Sequence, residues 1–124
     1  MRLLKELNRG ITNSGPQGEK LAWSNSGDMS QASCTSASAS CEHIGMISVE
    51  CAWSGTSPVG TLQLQGSVSG SAWFNVGSSV AVSGNTGCVQ VADVSSAYNY
   101  FRVVYTKTSG TGTLTAAQAQ AKGF

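Results

Sequence analysis

The chain has 124 residues, enough for one core of ordinary size and too few for two. Its 20 serines, 10 threonines and 15 glycines set against six acidic and seven basic residues favour turns and hydroxyl-bearing strands over charged amphipathic helices. The net charge of +1 is scattered, with no basic stripe to neutralise phosphates, so nucleic acid is excluded as an expected partner. No apolar run approaches the roughly 18 residues of a membrane-spanning helix, so membrane insertion is excluded too.

Residues 1–20 differ from the rest. They hold Arg2, Lys5, Glu6, Arg9, Glu19 and Lys20, and Leu3, Leu4 and Leu7 fall at helical spacing. A helix of one or two turns is marginal in water without something to pack against, and NRGITNSGPQGE then breaks any regular structure with Gly10, Gly15, Pro16 and Gly18. Two readings stand: a frayed terminus, or an extended N-terminal arm that docks Leu3, Leu4 and Leu7 on a neighbouring subunit. MRLLKEL is also too short and too charged for the apolar stretch of a secretion signal, which leads us to expect assembly in a cytoplasm.

From Leu21 to the C-terminus the pattern is short strands between turns. KLAWS is a first candidate, and DMSQASCTSASASCEHIGM shows little apolar alternation. GMISVECAWSG is a strong strand, with Ile47, Val49, Cys51 and Trp53 on one face and Ser48, Glu50 and Ala52 on the other. TSPVG breaks it. TLQLQGS then points Leu62 and Leu64 inward and Thr61, Gln63 and Gln65 outward; AWFNV, VAV and CVQVADV follow, separated by VSGS and SGNTG turns. Next, YNYFRVVYT alternates Phe101, Val103 and Tyr105 against Tyr100, Arg102, Val104 and Thr106. SGTG predicts a reversal there, with TLTAAQAQAKG returning as the second arm of a hairpin.

Short strands with turns roughly every 8 to 12 residues predict an all-β domain over residues 21–124, an antiparallel two-sheet β-sandwich or jelly roll. Its core would draw on Ile47, Val49, Cys51, Trp53, Leu62, Leu64, Val76, Val91, Val103 and Leu114.

Catalytic equipment is scarce. The single histidine, His43, sits beside Glu42, but no G-x-S-x-G elbow presents a nucleophile to it. Glu50 reads as a solvated outer residue rather than half of a glycosidase pair, and the Gly-rich stretches lack the lysine and helix of a phosphate loop. We expect no enzyme, no cofactor, no metal and no catalytic residue. Cys34, Cys41, Cys51 and Cys88 are read as reduced thiols by default, with Cys51 a small buried hydrophobe. A Cys34–Cys41 disulfide across a hairpin is one alternative. Zinc held by Cys34, Cys41, His43 and Cys51 is another, although the paired knuckle spacing of structural zinc is missing. Trp53 belongs to the core, one of Trp73 and Phe74 must turn inward, and Tyr98 and Tyr100 read as half-buried. Trp23, Trp73 and Tyr98 are the candidates for surface aromatic contacts, including a sugar-stacking platform.

SPVGTLQLQGSVSGSAWFNV, SSVAVSGNTG and AYNYFRVVYTKTSGTGTL together resemble small virion proteins of bacteriophages. There GTL-x-LQ-x-S, a turn, W, and later Y-x-Y-x-R-V-x-Y-T-x-T-S-G-T-G recur as successive strands of a small sandwich. The resemblance spans residues 44–123; the four cysteines are not part of its pattern, and the first 40 residues have no counterpart in it. It implies a structural protein of the virion: a capsid decoration, cement or vertex subunit, assembled in the host cytoplasm. Such a subunit binds the major capsid protein or vertex and tail proteins, and copies of itself as a homo-oligomer. The alternative is a carbohydrate-binding module for host attachment.

Overall fold

A computed structural model describes residues 19–40, 46–95 and 98–122. Within them lie eight strands: β1 (Glu19–Lys20), β2 (Ser33–Thr35), β3 (Ala39–Ser40), β4 (Met46–Ser67), β5 (Phe74–Asn75), β6 (Val80–Val82), β7 (Thr86–Ser95) and β8 (Tyr100–Lys122). All-β and antiparallel are as the sequence predicts, but every described strand joins one sheet rather than two. The sheet is built on β4 and β8, which pair from Met46↔Lys122 to Ser67↔Tyr100. On the far side of β4, β7 covers the first half, and β6 and β5 cover the second. On the far side of β8 lie β1, β2 and β3.

The reason is visible at the two segments that the sequence marks as breaks. TSPVG does not end its strand, and SGTG does not reverse the chain. Both are absorbed as a bend in a continuous pair, with register shifts between Thr56 and Val59 and between Val59 and Gly60. Ser57 takes φ +49° and Gly110 takes φ +81°, left-handed values that turn each strand without cutting its ladder. A Cβ at Gly110 would overlap the Ser57 carbonyl, so only glycine lets the strands stay this close at the corner. The expected hairpin is therefore a strand of 23 residues, and its partner is β4.

Alternation sets what each half contributes to the interior. Val49, Cys51, Trp53, Val91, Leu114 and Ala117 come from the first half, and Leu62, Leu64, Val82, Phe101, Val103 and Tyr105 from the second. All belong to one buried cluster, which Leu21, Met29, Cys34 and Ala39 complete. Of the core expected from sequence, Val76 is half-buried, and the Ile47 side chain lies outside those described. Met29, in a stretch with no apolar alternation, is fully buried because its N–H donates to the Gly112 carbonyl (2.8 Å) and pins that loop across β8.

Candidate functional site

The end of the sheet where β4, β5 and the start of β8 meet brings together aromatic rings, amides and an arginine near the surface. Register decides which side chains share a face. Gly66 lies between Phe74 and Phe101, and Gln65 lies between Asn75 and Arg102.

On the first of these rows Gly66 offers no side chain, and the Tyr98 ring occupies the space; a Cβ on Gly66 would overlap it. Tyr98 stacks on Phe74 (centroids 6.4 Å apart, 18° between planes) and meets Phe101 edge-on (6.2 Å, 88°). Phe101 is buried, whereas Phe74 is 55% exposed and nearby Val68 is 63% exposed. The stack thus runs from the core to solvent and ends in an apolar surface. The link out of β4 is pinned beside it, since Asn99 N–H donates to the Ser67 carbonyl (3.0 Å) and the Asn99 amide to the Val68 carbonyl (3.0 Å).

On the second row Arg102 Nε donates to Gln65 Oε1 (2.9 Å), and Gln65 Nε2 donates to Asn75 Oδ1 (3.1 Å). The Arg102 guanidinium lies 4.3 Å from the centre of the Trp73 ring, a cation–π contact. Partial burial lowers the Arg102 pKa from its ordinary value. Neither ring of the Trp73–Phe74 pair turns into the core: Trp73 is half-buried under Arg102, and Phe74 is exposed. The inward place expected for one of them is taken by Tyr98 and Phe101.

The three aromatic candidates do not form one platform. Trp73 belongs to the arginine row and Tyr98 to the apolar row. Trp23 lies in the segment that bridges to Ser36, packs against the core, and has a buried indole N–H with no hydrogen-bond partner among the described residues. Tyr98 and Tyr100 are half-buried, as their place at a strand start suggests. Leu3, Leu4 and Leu7 lie outside the described residues, as do Cys41, Glu42 and His43. The outward placing of Gln65 and Arg102 was legible from alternation. Their meeting with Trp73 depends on register across strands far apart in sequence.

The thiols are separated by the pleat. Cys51 is buried, and desolvation above all pushes its thiol up to about 12. Cys88 pairs with Ala52, not with Cys51, and is exposed. Cys34 is buried, donates to the Asp28 carbonyl (3.0 Å), and has its pKa raised first by burial and then by the Asp28 charge. Tyr105, with its hydroxyl directed to the Val59 carbonyl at 3.3 Å, is likewise raised by burial and then by Cys34. Asp28 is engaged locally, accepting from the Ser30 hydroxyl (2.6 Å) and the Ser30 N–H (2.9 Å); these bonds lower its pKa. Glu50 is exposed on the outer face. Among the described residues no group of His, Cys, Asp and Glu is arranged to hold a metal ion.

Compared with known proteins, the chain matches no family model and no curated protein.

Proposed function

We propose that this chain is a non-enzymatic structural subunit of a bacteriophage virion: a capsid decoration, cement or vertex protein that binds neighbouring virion proteins and copies of itself. Its two bent half-sheets would act as the layers of a sandwich-like body. The observation that supports this best is the apolar surface at Val68 and Phe74, backed by a stack that reaches the core through Tyr98 and Phe101. Large apolar side chains held rigid at a surface favour a protein partner, since they bury area without ordering flexible groups first. The resemblance adds to this, because Gly60–Gln65, Trp73 and residues 100–112 fall on β4, β8 and the link leading to β5. In this reading residues 1–20, with Leu3, Leu4 and Leu7, engage a neighbour in the assembly, and the protein resides in virions formed in the host cytoplasm.

Quantitative mass spectrometry of density-purified particles tests the proposal. We expect the chain at a fixed ratio to the major shell protein, near unity for a decoration or cement subunit and a small fraction for a vertex or tail. Absence from particles would refute it.

A second reading, a carbohydrate-binding attachment module, is favoured by the Trp73 ring beside the amides of Gln65 and Asn75, groups that suit sugar hydroxyls. It predicts glycan-array binding that is lost in Trp73→Ala.

A further inference from the structure

The edges of this sheet are not alike. Beyond β8, the ladder is met by β1, by the Leu21 N–H on the Ala117 carbonyl (2.7 Å), by the Asp28↔Thr113 bridge, by the Met29 N–H on Gly112, and by β2 and β3. Beyond β4, strand β7 is ten residues long and pairs with nothing but β4 among the described residues.

The phase of that ladder tells which groups of β7 face outward. The Gly55 N–H donates to the Asn85 carbonyl (2.7 Å), so in the alternating antiparallel pattern Trp53/Gly87 and Cys51/Val89 exchange the bonds between strands. The N–H and C=O groups of Thr86, Cys88 and Gln90 then point away from β4. After Gln90 the register shifts, because Glu50 pairs with Gln90 and Val49 with Ala92, leaving Val91 as an extra residue. This bulge ends the regular stretch at residues 86–90, which contain no charge and no proline. Exposed strands of monomeric proteins are ordinarily guarded by lysine, proline or a bulge. Here the guard begins only at Val91.

We propose that residues 86–90 of β7 pair with the same residues of a second copy, antiparallel, about a two-fold axis at Cys88. The outward groups of Thr86 meet those of Gln90 in the partner copy, and Cys88 meets its own counterpart. The closest side-chain approach falls at the pairs that exchange no bonds, Gly87 against Val89. Gly87 has no side chain to oppose the branched Val89, and the Trp53 ring lies against it, so Val89 gains an apolar surface twice over about the axis. The self-opposed stretch is neutral, so no like charges meet. A two-fold contact uses up this edge on both copies, so the product is a closed dimer rather than a filament. The contact stands on the edge geometry and is independent of the virion reading.

The test is thiol cross-linking of the full-length native protein with the short-reach reagent dibromobimane, followed by peptide mapping, over a range of protein concentrations. We expect a covalent dimer linked Cys88 to Cys88, with a yield that rises with concentration and vanishes in Cys88→Ser. The double variant Thr86→Lys with Gln90→Lys should keep the parent melting transition, since both side chains are exposed, yet cross-link about tenfold less, because it sets lysine against lysine at both ends. Equal cross-linking by that variant would overturn the contact. So would a protein that sediments as a monomer with no Cys88–Cys88 cross-link at its highest soluble concentration. A chain found in particles that fails this test loses the β7 contact and keeps the virion reading; one that cross-links but is absent from particles does the reverse.

Discussion

Turn-rich segments of this chain have opposite fates. SGN, at residues 83–85, turns the chain from β6 into β7, whereas TSPVG and SGTG, equally rich in turn residues, merely bend β4 and β8 while those strands stay paired. The difference lies in what each segment has beside it. Gly84 has φ +89° and open surroundings: a Cβ placed there would come no nearer than 3.8 Å to the Thr86 carbonyl oxygen, an ordinary contact. Gly110 sits against Ser57 and Pro58, so the two breakers meet at one corner and each supplies the kink the other requires. The turn and the corner also touch. Asn85 Oδ1 accepts the N–H of Ser57 (2.8 Å), and the Gly84 carbonyl accepts the Trp53 indole N–H (3.0 Å), which ties the reversal to the bend.

The contrast is broken most sharply by Gly110→Val. It combines a left-handed φ with a clash on backbone, and should cost about 3 kcal/mol or more in urea unfolding. Gly84→Ala shares the left-handed φ but meets open space, so it should cost only about 1 kcal/mol; equal losses would mean that the corner is not special. Asn85→Ala removes the acceptor of the exposed Ser57 N–H, which water can replace, and should cost about 0.5–1 kcal/mol. Away from the bend, iodoacetamide labelling of the native protein should modify Cys88 first, with Cys34 and Cys51 reacting only on the time scale of opening. Rapid labelling of Cys51 would mean that the first half of β4 presents its other face.

The smallest effect concerns pH. Asp28 has a folded-state pKa lowered from 3.8, chiefly by the Ser30 hydroxyl, so its contribution to stability is present above that ordinary value and is lost as pH falls through the folded value. Asp28→Asn should therefore lower the melting temperature slightly at neutral pH and flatten its fall on the acid side, where the two proteins converge.

Alternation alone was enough to name half of the buried apolar residues among those described. Val49, Cys51, Trp53, Leu62, Leu64, Val91, Val103 and Leu114 are buried because period-two patterning and one-sided burial are the same constraint in a sheet. The exposure of Glu50 followed in the same way, and the half-burial of Tyr98 and Tyr100 from their place at the start of a strand. The candidate site was less legible. Gln65 and Arg102 were readable as outward, but the row that joins them to Asn75 and Trp73 is made by pairing between distant strands, which leaves no local trace. Tyr98 stacks over Gly66 for the same kind of reason: the vacancy and the ring that fills it are separated in sequence.

What the sequence by itself determined about this protein is its class and the inward or outward sense of the residues in the two strongest alternating runs, 49–53 and 101–105, since side-chain alternation and backbone propensity act within a few residues. Tertiary structure alone decided whether a glycine or proline ends a strand or bends it. A breaker is a turn only when no partner strand follows its path. Here β4 and β8 kink at the same level, each keeping the other's hydrogen bonds, and what reads as two sheets becomes one.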